Sequence, residues 1–429
     1  MNNFTTKYQS YNLKNFTKIP AVEKYFSKAD IDAVRVVGSV LPFKVNNYVT
    51  EQLIDWDNIP EDPMFQLTFP QKEMLTETDF RLMENAINNN VDKAEQILLA
   101  NKIRFSLNPH PDGQKNNIPR LNRKKLQGIQ HKYNETVLFF PSNSQTCHAY
   151  CTFCFRWPQF TGISNLKFSM KEVGLLVDYL ETHGEVTDLL FTGGDPMIMS
   201  AEKLSQYIEP VINSKKHNVS TIRIGTKSLG YWPYRYLSDK DSDDILRLFE
   251  KVVKKGFHLA FMAHVNHPRE LETKAVQKAI KRILNTGALI RTQSPVMKHI
   301  NNNPGVWQTM WKQQVKLGMI PYYMFMARDT GAQDYFAVTL NDAWEIFTEA
   351  YKNVSGIART VKGPVMSADP GKVHILGVNK INGEKVFSLR FVQARETKHV
   401  NTPFFARYNH DAIWLDDLKP WKSNKFFFE

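Results

Sequence analysis

Between residues 136 and 325, short apolar runs alternate with longer stretches whose apolar residues recur every three or four positions. The runs 135–141, 188–192, 220–225, 259–265, 288–293 and 320–325 read as buried strands. The stretches between them, such as 243–253 and 273–284, read as amphipathic helices. This alternation predicts an α/β fold with a parallel sheet and crossover helices. Six strands over this span make a partial (β/α)6 barrel of the TIM type, open on one side, with its chemistry at the carboxyl ends of the strands.

The flanks read differently. Residues 1–105 predict a mainly helical N-terminal region, in which Thr76 precedes a run with helical apolar spacing. A connector rich in Pro, Asn and Lys follows, and Asn108-Pro-His-Pro-Asp-Gly-Gln-Lys reads as loop. The barrel is expected over 106–330. Residues 331–429 are expected to form a mixed α/β C-terminal extension ending in the basic, aromatic tail Trp421-Lys-Ser-Asn-Lys-Phe-Phe-Phe.

Composition narrows the class. With 42% hydrophobic and 23% charged residues, the 429-residue chain is that of a globular protein with a large core. No run of about 18 apolar residues occurs, so no membrane span is expected. The opening Met-Asn-Asn-Phe-Thr-Thr-Lys-Tyr lacks the apolar core of a signal peptide, and a cytoplasmic location is expected. A net charge of +12 permits an acidic partner, but the basic residues are dispersed and nucleic-acid binding is not expected.

The three cysteines, Cys147, Cys151 and Cys154, fall within eight positions. An odd set cannot pair evenly into disulfides. As thiolates they are one ligand short of a four-cysteine zinc or iron–sulfur site. His148 lies in the loop and could complete a zinc site, although adjacent residues point in different directions. A four-iron cluster held by three cysteines would instead keep one iron open for a small ligand. Thiolates of this kind imply a reducing compartment.

The Cys-x3-Cys-x2-Cys spacing resembles that of the radical S-adenosylmethionine (SAM) superfamily. The resemblance implies a 4Fe–4S cluster on Cys147, Cys151 and Cys154, with SAM on the open iron. An electron from a donor such as flavodoxin or ferredoxin would then generate a 5′-deoxyadenosyl radical. Phe153 matches the position beside the adenine, and Gly193, Gly194, Asp195 and Pro196 match the motif that holds the methionine amino group. Over about residues 58–380 the chain is similar to the lysine 2,3-aminomutase family. Asp62-Pro-Met-Phe-Gln66, Ile222-Arg-Ile-Gly-Thr-Lys227, His264-Val-Asn-His-Pro-Arg-Glu270, Thr292-Gln293-Ser294 and Pro321-Tyr-Tyr323 carry that similarity. Within it, His264 and Gln293 match positions that contact SAM.

The same resemblance implies pyridoxal phosphate (PLP), with Lys372 of Ser367-Ala-Asp-Pro-Gly-Lys372 as its lysine. It implies an amino acid substrate with Arg156 on the carboxylate, and Asp329 and Asp369 on the distal ammonium of lysine or a related basic amino acid. Two departures stand out. Only Pro370 and Gly371 separate Asp369 from Lys372, and Thr136 stands where the family has an Arg for the PLP phosphate. Lys132 or Arg123 could supply the missing charge. A PLP-independent radical SAM enzyme with another substrate is the alternative. The C-terminal cysteine by which relatives share an intersubunit zinc is absent, and a homo-oligomer is left open.

Overall fold

The computed structural model describes residues 6–109, 115–163 and 167–429; part of the 108–115 connector and the first residues lie outside this set. The predicted alternation closes into one curved sheet. Its strands are β1 (Ile129–Tyr133), β2 (Thr136–Phe139), β3 (Asp188–Phe191), β4 (Thr221–Thr226), β5 (His258–His264), β6 (Leu289–Val296) and β7 (Ile320–Met326), followed by β8 (Lys362–Ser367), β9 (Gly371–Ile381), β10 (Glu384–Ala394) and β11 (Pro403–Arg407). Spatial order follows chain order throughout. Strands β2 to β8 run parallel, with β1 antiparallel at one edge and β9 to β11 antiparallel at the other.

All six strands expected from the sequence form, and β8 adds a seventh parallel strand. Residues after 331 therefore continue the barrel's own sheet. The six-residue stretch Lys362–Ser367, which holds Pro364 and few apolar residues, gave no strand signal by itself, but the exposed edge of β7 supplies the pairing it needs.

Helices cover the outer face, as parallel strands require. In Ser242–Lys254, the residues Ile245, Leu248, Phe249 and Val252 are buried at helical spacing, while Lys251 and Lys254 face solvent. Thr273 caps the following helix, Lys274–Asn285, by accepting from Val276 N at 3.2 Å. The N-terminal region is mainly helical, with Lys28–Val40, Glu77–Asn88 and Lys93–Ser106 as its longer helices, and Thr76 caps the second of them. It packs over the carboxyl ends of the strands and so roofs the cysteine loop.

Candidate active site

The cysteine loop follows β2 and has little regular structure of its own, so its shape is imposed from outside. Lys44 Nζ donates to the Cys147 carbonyl at 2.8 Å. The Tyr8 hydroxyl and the Asn46 amide donate to the His148 carbonyl at 2.7 and 3.2 Å. On the other side, Thr152 donates through its N–H to Leu67 O at 3.1 Å and through Oγ1 to Gln66 O at 2.7 Å. The segment Asp62–Gln66 thus braces the loop. Its Asp62 caps the helix Pro63–Thr68 and pairs with Arg269.

Gly193 and Gly194 form the floor. A Cβ on Gly194 would lie 2.4 Å from the Thr146 carbonyl oxygen. One on Gly193, at φ +148°, would lie 2.2 Å from Ser144 Oγ. The N–H groups of Gly194 and Asp195 donate to Ser144 O and Thr146 O at 2.9 and 2.8 Å. The glycines therefore let the end of β3 pack directly beneath the cysteine loop, a role the motif reading did not supply. Asp195 is buried, and its carboxylate accepts from Met197 N (2.9 Å), Thr226 Oγ1 (2.8 Å) and Lys227 N (2.9 Å).

The three thiols are unpaired. Burial pushes Cys151 up to about 12 and Cys154 to about 11. Burial, Asp195 and the other two thiols hold Cys147 well above its usual range. Three thiols that cannot ionise alone suit a cationic centre that would draw off their protons. A second observation agrees. Tyr231, 1% exposed, has a hydroxyl with no conventional acceptor, facing the Cys151 sulfur. A metal-bound thiolate there would be the acceptor it lacks. Lys227 lies 4.4 Å from the Tyr231 ring and pairs with the buried Glu270 at 2.6 Å.

Among the described residues, no three His, Cys, Asp or Glu side chains converge on a point that could hold a single metal ion. A cluster binds each thiolate at a separate iron and needs no such convergence. His148 instead lines an outer cavity of about 930 Å³ with Tyr8 and Trp232. The donor set fits a cluster.

Beside the loop, His264 on β5 is the register partner of Gln293 on β6. The Phe153 ring meets His264 edge-on at 5.5 Å and Phe336 at 6.3 Å. Burial, helped by Lys227, pushes His264 down to about 3, so its imidazole is neutral. The predicted SAM residues are thus brought to one neighbourhood.

Lys372 opens β9. Its Nζ donates to Gln393 Oε1 at 2.7 Å and lies 4.9 and 5.5 Å from the rings of Tyr323 and Tyr133. Burial, reinforced by Arg223 and Lys132, pushes it down to about 7. Thr136 gives its hydroxyl to Asp188 at 3.1 Å, and Asp188 also holds Arg223 through both its oxygens. Arg223, Lys132 and Lys362 are the cations around Lys372, whereas Arg123 is exposed on a turn. A half-buried, readily neutral amine with cations around it fits a phosphate-bearing aldehyde. The sequence reading missed Arg223, which looked like an ordinary strand residue.

Of the predicted substrate residues, the two acids share Lys132 as a neighbour, whereas Arg156 sits on an aromatic pair by the cysteine loop. Arg156 lies on the rings of Phe140 and Phe155 at 4.5 and 5.2 Å, and burial pushes it down to about 10. Asp329 and Asp369 both act on Lys132, as do Arg328 and Arg395. Asp329 accepts from Arg328 Nε at 3.2 Å, and the exposed Asp369 from Arg395 Nη2 at 2.9 Å. Neither arginine was picked out from the sequence.

A seven-stranded parallel run with an open three-thiol loop at its carboxyl edge makes a partial barrel of the kind that the resemblance to radical SAM proteins implies. The chain is 29% identical to "Putative L-lysine 2,3-aminomutase" of Aquifex aeolicus (strain VF5) over 87% of each chain. It is 25% identical to the L-lysine 2,3-aminomutase of Methanococcus maripaludis over 81% of this chain and 68% of that protein. It is also 25% identical to the glutamate 2,3-aminomutase of Clostridioides difficile over 54% of this chain and 51% of that protein. Over most of its length the chain is thus similar to proteins named lysine 2,3-aminomutase. No family model matches it. The solved structure of Streptococcus suis SuiB bound to S-adenosylmethionine aligns at 12% identity and TM-score 0.35 over 63% of this chain and 56% of that one, a likeness too slight to bear on function. No helix among the described residues is long and apolar enough to cross a membrane.

Proposed function

We propose that the chain is a SAM-radical 2,3-aminomutase, moving the α-amino group of an amino acid to the neighbouring carbon. The single observation that carries this reading is Lys372, a half-buried amine held between Tyr323, Tyr133 and Gln393, on the same sheet whose carboxyl edge holds three unpaired thiols. When bound, the cluster and SAM supply a carbon radical, and PLP supplies an unsaturated centre across which nitrogen can shift.

The chain's own residues do the rest. Cys147, Cys151 and Cys154 would hold the cluster. Phe153, His264, Gln293 and the Gly193–Pro196 turn would hold SAM, with the neutral His264 adding no charge beside a sulfonium. Lys372 would hold PLP, and Arg223 and Lys132 would receive its phosphate in place of the family's arginine. Arg156 would orient the substrate carboxylate. Tyr8, Lys44 and Gln66 brace one side of the loop, which would limit the access of water where a radical must be protected.

One observation favours a PLP-independent alternative: the hydroxyl of Thr136 is committed to Asp188 and does not face a phosphate site. Anaerobic reconstitution decides between them. The expected result is about four irons per chain, loss of iron and of SAM cleavage on Cys151→Ala, and borohydride-stable PLP on one lysine. SAM cleavage without any labelled lysine would select the alternative.

A further inference from the structure

We propose that Arg291, with Lys362 beside it, grips the phosphate of PLP inside the amino-terminal end of the barrel. The proposal rests on the PLP reading and adds two residues that the sequence resemblance does not mark.

Arg291 is the third residue of β6. Along this strand Leu289, Arg291 and Gln293 are half-buried, while Ile290 and Thr292 between them are buried. Thr292 Oγ1 donates to Gln314 of the covering helix Pro304–Lys316 at 2.7 Å, so Arg291 faces the barrel interior, on the side of Gln293. Among the described residues its guanidinium has no hydrogen-bond acceptor and no carboxylate partner, and it rests on the ring of Tyr322 at 5.3 Å. Lys362, exposed at the start of β8, lies 5.8 Å from the same ring and 5.9 Å from that of Tyr323. It too has no carboxylate partner among the described residues.

A bulge against β6, where pairing steps from Pro321 to Tyr323, brings the two consecutive tyrosine rings to 4.4 Å. Lys372 Nζ sits on the Tyr323 ring at 4.9 Å. One tyrosine pair therefore carries the proposed PLP lysine on one ring and two unpaired cations on the other. PLP bears its aldehyde and its phosphate arm on adjacent ring carbons, so an amine and an anion site held this close together suit one molecule.

The other cations near Lys372 are already engaged. Asp188 holds Arg223 at 2.7 and 2.5 Å, and Lys132 Nζ donates to Ala368 O at 2.5 Å. Arg291 and Lys362 are left in excess. A half-buried guanidinium without an acceptor is costly, and the oxygens of a phosphate match its planar fork. Arg223, Arg291, Tyr322 and Lys362 each fall within the first three residues of their parallel strands. A phosphate among them would lie at the end remote from the cysteine loop and leave the carboxyl end free for the chemistry.

The test titrates the anaerobically reconstituted protein with PLP and with pyridoxal, which has the aldehyde but no phosphate. Binding is followed by the absorbance of the added aldehyde, and borohydride labelling identifies the lysine. Wild type should bind PLP more tightly than pyridoxal. Arg291→Gln should weaken PLP at least about tenfold, the scale of one charged hydrogen bond, and leave pyridoxal unchanged. Lys362→Gln should do the same to a smaller extent. Should Arg291→Gln fail to fold, Lys362→Gln and Arg291→Lys, which keeps the charge but not the fork, decide by the same ratio. Equal weakening of PLP and pyridoxal, or an unchanged PLP affinity, overturns the proposal and leaves the PLP reading standing. Wild type that binds neither aldehyde, with no labelled lysine and SAM cleavage intact, overturns both.

Discussion

Lys372 and Gln393 face each other across the antiparallel pair β9–β10, and the lysine donates to the amide oxygen at 2.7 Å. The amide holds the amine in place at the edge of the barrel without adding a charge. The ammonium form is disfavoured by burial and by Arg223 and Lys132, so the folded-state value, about 7, lies below the ordinary 10.5. The reactive neutral form is therefore present above about pH 7 and lost as pH falls through it.

Borohydride trapping with PLP should accordingly label Lys372 at a rate that rises through about pH 7 and then levels, whereas an ordinary lysine keeps gaining towards 10.5. Gln393→Leu removes an acceptor for the ammonium and should move the midpoint lower. A profile that keeps climbing above pH 9 would show that Lys372 is solvated.

Tyr231→Phe should lower the midpoint potential of the reconstituted cluster. A hydrogen bond to the Cys151 sulfur favours the more negatively charged, reduced state. Its loss corresponds to about 1 kcal/mol, or roughly 40 mV for one electron. Redox titration by electron paramagnetic resonance reads this directly, and an unchanged potential would mean that the hydroxyl does not reach the thiolate.

Gly194→Ala should reduce cluster content more than overall folding. The added methyl meets backbone, at 2.4 Å from the Thr146 carbonyl oxygen, so the cysteine loop itself must move. Overpacking of this kind costs about 1–3 kcal/mol. Iron per folded chain is the measurement, and full iron loading would refute the packing role.

Glu270→Ala should be among the most destabilising single changes. It leaves the Lys227 ammonium buried without its partner, 2.6 Å away in the wild type. Breaking such a pair costs about 3–5 kcal/mol. Urea unfolding of the cluster-free chain would report it, and a loss below about 1 kcal/mol would show that water replaces the carboxylate.

The sequence by itself determined the six central strands, because a strand buried on both faces is an uninterrupted apolar run and leaves a local record. It also determined the cysteine loop, since three thiols in one short stretch have few structural uses. It marked Arg156, Asp329, Asp369 and Lys372 through a family resemblance, but said nothing of what each would meet. The partners were decided by tertiary structure alone. Arg395 reaches Asp369 across 26 positions, Tyr231 reaches Cys151 across 80, and Arg223 reaches the surroundings of Lys372 across 149. Charge balance in a cavity is a sum over side chains from different strands, and no local window contains that sum. The seventh strand, β8, escaped for a related reason. Its stretch holds a proline and few apolar residues, and only the free edge of β7 makes it a strand.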